Sequence, residues 1–67
     1  MENVRVKKIR ERVEDLINEA IILLEDNYDM DNADIDNPAY MTMMDLNGAL
    51  MESGWLNEEF LKEETNE

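Results

Sequence analysis

From Val6 to Tyr28 apolar side chains return every three or four residues, and neither proline nor glycine breaks the run. Ile9, Val13, Leu16, Ala20 and Leu23 form one row, and Val6, Val13, Ile17, Leu24 and Tyr28 form a second beside it. That spacing is the period of an α-helix. Residues 4–28 are therefore expected to be one long helix. Around residues 20–24 the helix is apolar on most of its circumference. A single neighbour covers a single stripe, so a belt this broad predicts contacts on two sides, one from the same chain and one from a second subunit. Ile17 and Ile21, in this belt, are expected to be more buried than any acidic side chain.

The rest of the chain reads as short helices joined by turns. Residues 29–37, DMDNADIDN, alternate aspartate and asparagine with small or apolar residues. Such side chains compete for nearby backbone groups and favour turns. Asn37-Pro38 has the form of an N-cap followed by proline at the first helical position. A second helix over about 38–53 would turn Tyr40, Met43, Met44, Asn47, Leu50 and Met51 inward and Thr42, Asp45, Ala49 and Glu52 outward. Gly48 would permit a close helix contact, and Gly54 suits the stop. Asn57, with Glu58 and Glu59 after it, reads as the cap of a short third helix over 57–64. Leu56 and Leu61 would staple it, and Phe60 and Leu61 would face inward. The expected fold is all-α: a long N-terminal helix, an acidic loop and two shorter helices. Residues 1–67 form a single domain, frayed at 1–5 and 64–67 and paired as a homodimer.

Charge narrows the chemistry. The chain has 67 residues, 18 acidic and 6 basic, for a net charge of −12, with no histidine and no cysteine. Disulfide scaffolds, Cys/His zinc modules, thiolate nucleophiles and serine–histidine dyads are excluded. Direct contact with nucleic-acid phosphates is not expected of so acidic a surface. No apolar run approaches a membrane span, and the N-terminus lacks a signal-peptide layout, so a soluble cytoplasmic protein is expected. A chain this short buries only about 60% of its unfolded surface, and such chains often complete their core with another subunit.

The charges are also segregated. Arg5, Lys7, Lys8, Arg10 and Arg12 crowd the first twelve residues, whereas residues 13–61 hold acids and no base. Cations at a helix N-terminus oppose the macrodipole, so this arrangement does not serve the isolated helix. Paired antiparallel, two long helices would set the basic end of one beside Glu25, Asp26 and Asp29 of the other; a parallel pair would stack like charges.

Motif-level readings are weaker. An EF-hand loop begun at Asp29 would put Ala33, Asp34 and Tyr40 where a ligand, a glycine and a glutamate are needed. Only weak divalent-cation binding is compatible with that pattern. The carboxylate pairs Glu11/Glu14 and Asp26/Asp29 lie on one helix roughly 22 Å apart, too far to share a magnesium site. A helix-turn-helix over 38–64 would carry Glu58, Glu59, Glu63 and Glu64 against Lys62 alone. Met43, Met44 and Met51 read as core filler, Met41 as a surface residue and Trp55 as an anchor.

The expected function is thus non-enzymatic and without cofactor or metal: a small acidic protein that inhibits or regulates a partner with a basic surface. Acids three or four apart on a helix stand about 5–6 Å apart, the scale of phosphate spacing. Asp15 with Glu19, and Glu25 and Asp26 with Asp29, have that spacing; Asp31, Asp34, Asp36, Asp45 and Glu52 extend the field. Met41 and Trp55 complete the candidate partner-binding set. Small size, acidity and lack of catalytic groups resemble, in type rather than in motif, small phage-encoded antagonists of host nucleases, defence systems or DNA-binding proteins, and nucleic-acid mimicry is one mode of action expected of such a chain. Two alternatives stand beside this one: an adaptor module that dimerises through an apolar Met/Trp surface, and a weak divalent-cation binder.

Overall fold

The computed structural model describes residues 3–63 and is helical, with no strand among them. Helix α1 spans Val4–Asn27 and helix α2 spans Pro38–Ser53. Both begin at asparagine caps. The Asn3 Oδ1 accepts from the backbone N–H groups of Arg5 at 2.9 Å and Val6 at 3.3 Å, and the Asn37 Oδ1 accepts from Ala39 N–H at 2.8 Å. Each cap satisfies amides that the first helical turn leaves without a partner. Pro38 at the first position of α2 loses no hydrogen bond there. Asn3 thus anchors α1 at the basic end, and Val4 and Arg5 are helical.

The two helices form an antiparallel hairpin. At one end Leu24 and Tyr28 of the α1 terminus line the same depression as Asn37, Pro38, Ala39 and Thr42. At the other, the segment after α2 returns to the start of α1. There the Asn3 amide donates to the Glu58 carboxylate, and the Arg5 guanidinium donates to the Lys62 carbonyl. The connection closes through two turns, with Asn32 N–H on the Asp29 carbonyl and Asn37 N–H on the Asp34 carbonyl.

Packing follows a step of three and four on both helices. Along α1 the covered positions are Val6, Arg10, Val13, Ile17, Ala20, Ile21 and Leu24, with Arg5 and Glu14 beside them; along α2 they are Ala39, Met43, Leu46, Leu50 and Ser53, with Tyr40 at the margin. Among the described residues only Val6, Ala39 and Ser53 are buried, and no large side chain is sealed from solvent. The Ser53 hydroxyl meets its burial by donating to the Leu50 carbonyl at 2.7 Å. Ile17 and Ile21 are half-buried; the described acidic side chains are exposed except Glu14, which is half-buried as well.

Three expectations are corrected. The inner face of α2 is rotated from the predicted one: Met44, Asn47 and Met51 are exposed, and Ala39, Leu46 and Ser53 take their place. Small side chains at 39 and 53 let the helices approach at both ends, and α2 turns to use them. Nothing lies within 4 Å of where a Cβ on Gly48 would stand, so that glycine serves no close contact within the chain. A third helix does not form over the described part of 57–64. Asn57 does cap, accepting from Glu59 N–H at 2.8 Å, but the segment closes as a turn with Leu61 N–H on the Glu58 carbonyl. Phe60 is left-handed at φ 64° and 95% exposed, not inward. A segment of one or two turns gains too few hydrogen bonds to offset helix nucleation. Of the ends predicted to fray, 1–5 and 64–67, residues 1–2 and 64–67 lie outside the described residues.

Candidate interaction surface

The polar candidates are exposed but do not form one patch. Asp15 and Glu19 stand mid-way along α1, and Glu25 and Asp26 near its end. Glu25, Asp29 and Asp31 line a shallow depression of about 290 Å³ with Tyr28 and Met30. Asp34 and Asp36 bracket Ile35 in the second turn of the connection. Asp45 lies on α2, and Glu52 near its far end. Asp29 is tied locally, accepting from the Asn32 side-chain amide at 2.6 Å. Among the described residues no three carboxylates converge into a metal site. No helix there is long and apolar enough to cross a membrane.

The apolar side of the surface is more organised. Ile35, Tyr40, Met41 and Met44 enclose a depression of about 290 Å³ with Asp45 on its edge. Of its lining residues, Met41 and Asp45 are among the candidates named from the sequence; Ile35, Tyr40 and Met44 are additions. Ile35 carries a signal in hindsight, being a large aliphatic side chain between two aspartates in a turn, where nothing local needs one. It is 75% exposed. The resulting arrangement is an apolar concavity with Asp45 in its lining, and Asp34 and Asp36 flank Ile35 in the sequence. Methionine suits such a surface because its unbranched, polarisable side chain adapts to different shapes. Trp55 is 82% exposed but follows the other end of α2, roughly 20 Å along the chain axis from Met41, and belongs to a separate site.

A further apolar row is uncovered on α1. Its own chain covers the belt on one side only, through Ile17, Ala20, Ile21 and Leu24. Ile9, Leu16, Ile22 and Leu23 remain exposed. Large apolar patches on a folded surface mark contact sites. The chain therefore presents two kinds of unfilled surface, a methionine-lined concavity that includes Asp45 and an aliphatic edge on α1. No protein-family model matches the chain, and no curated protein or solved structure shows significant similarity to it.

Proposed function

We propose that the protein is a non-enzymatic acidic interaction module that inhibits or regulates a partner protein by occupying a basic surface on it. The observation that carries this reading is an apolar concavity with a carboxylate in its lining: Ile35, Tyr40, Met41 and Met44 together with Asp45, and exposed Asp34 and Asp36 on either side of Ile35 in the chain. An apolar centre with a charged rim is the general anatomy of a protein interface. The complementary partner segment is amphipathic, with an apolar anchor between lysines or arginines. The carboxylates set encounter rate and register, and the methionines hold the anchor.

Two synthetic helical peptides of equal positive charge, one Lys/Leu amphipathic and one Lys/Ser, test the proposal by calorimetry over a salt series. The Lys/Leu peptide should bind more tightly. Met41→Ser with Met44→Ser should remove that advantage, and Asp34→Asn, Asp36→Asn and Asp45→Asn together should weaken binding and flatten its salt dependence. Equal binding of the two peptides, or no effect of either set, refutes it.

The exposed acids along α1 support a second form of the same reading, in which the partner's basic groove is one that otherwise holds nucleic acid. Asp15, Glu19, Glu25 and Asp26 are exposed on this helix, and Asp29 follows its end. Competition between this protein and duplex DNA for such a partner, abolished when Asp15, Glu25 and Asp29 are neutralised, distinguishes mimicry from simple docking.

A further inference from the structure

We infer that the uncovered edge of α1 is the seat of a second copy of this chain, packed antiparallel with Leu16 at the two-fold axis. Ile9, Leu16 and Leu23 are seven residues apart and 38%, 47% and 65% exposed. Seven residues are close to two helical turns, so the three lie in one row about 21 Å long. Val13 and Ala20 fill the intervals on the side toward α2. Together they make the alternating three-and-four seam of a helix pair.

The charges beside this row identify the occupant. Arg5, Arg12, Glu19 and Asp26 follow the same seven-residue spacing along its other margin. Read from the N-terminus the margin is positive, positive, negative, negative. That pattern is its own complement when the chain direction is reversed. With Leu16 against the partner's Leu16, Ile9 meets the partner's Leu23, Arg12 meets the partner's Glu19, and Arg5 comes near the partner's Asp26. A uniformly basic partner is repelled by Arg5 and Arg12, and a uniformly acidic one by Glu19 and Asp26. A parallel copy puts this margin on opposite sides of the seam in the two chains, so Arg12 and Glu19 find no partner in each other across it. The margin is also balanced in charge within a chain of net −12, so it is a place where two copies approach without adding acid to acid. Arg5 already donates to the Lys62 carbonyl, so Arg12 and Glu19 are the residues to test. The inference does not depend on the methionine concavity, which uses other residues.

Sedimentation equilibrium at micromolar concentration reads the assembly directly. The wild-type chain should be a dimer, and Leu16→Asp a monomer that keeps its helicity. Arg12→Glu and Glu19→Arg should each weaken dimerisation about tenfold, since each replaces two attractive pairs with two repulsive ones. The double variant Arg12→Glu/Glu19→Arg should return to within about threefold of wild type, because the reversed margin is again self-complementary. A monomeric wild type, single reversals without effect, or a double variant no tighter than the singles overturns the inference. The charge variants decide it should Leu16→Asp lose its helicity, since both positions are exposed.

Discussion

Replacing Gly48 with alanine should stabilise the isolated chain. Gly48 lies in the interior of α2 and does not have a positive φ. A Cβ built on it meets nothing within 4 Å. Alanine therefore fits without strain, and the unfolded chain loses freedom that glycine would keep. The expected gain is about 0.5–1 kcal/mol, the usual difference between these residues in a helix interior. For a domain of this size that corresponds to a rise of roughly 2–8 °C in the thermal midpoint. Circular dichroism at 222 nm, followed through the melt at a single protein concentration, measures it. A lower midpoint for Gly48→Ala would refute the reasoning, because it would mean that something packs against the Gly48 backbone in solution. The same variant can then be compared in Lys/Leu peptide binding. Gly48 follows Met41 and Met44 around the helix, so an added methyl reports whether a ligand needs that close approach.

Other consequences follow from the same geometry. Asn3→Ala and Asn37→Ala should each lower stability by about 1 kcal/mol, read from denaturant midpoints, since each removes a side-chain acceptor from amides at a helix start. Ile21→Asp should reduce helicity and the thermal midpoint, with a loss of about 2 kcal/mol or more as an unpaired carboxylate enters the covered stripe; an unchanged melt would show that this stripe is not the packed one. Ile22→Ser, on the exposed side of the same helix, should change the melt of the isolated chain by less than about 0.5 kcal/mol.

The hairpin holds together on little buried surface. Val6 and Ala39 are its buried apolar residues, and the aliphatic belt of α1 is only half used. Native stability is a small difference between large terms. Binding at either unfilled surface therefore adds directly to the stability of the fold, and ligand or second copy should raise the thermal midpoint further with the logarithm of its concentration above Kd. In such a chain assembly and folding are measured by overlapping signals, which is why the charge variants at exposed positions are more informative than core substitutions.

Local chemistry was legible in the residues themselves. The period of three and four, uninterrupted by proline or glycine, defines α1. Asn37 followed by Pro38 fixes the start of α2, because a cap and a restricted φ act over two or three residues and need no distant partner. The segregation of basic and acidic side chains, and the breadth of the belt at 20–24, were equally visible. The tertiary structure decided what depends on where a second helix lies. Which stripe of α2 turns inward was settled by the small side chains of Ala39 and Ser53, not by the larger apolar moments of Met44 and Met51. The segment after Gly54 carried a good cap at Asn57, but a cap cannot hold so short a helix without a surface to bury its Phe60. And the broad belt did not say which of its sides the same chain would cover. Both rows were equally apolar, and the hairpin's own packing chose the Val6–Ile17–Leu24 side and left Ile9, Leu16 and Leu23 facing solvent.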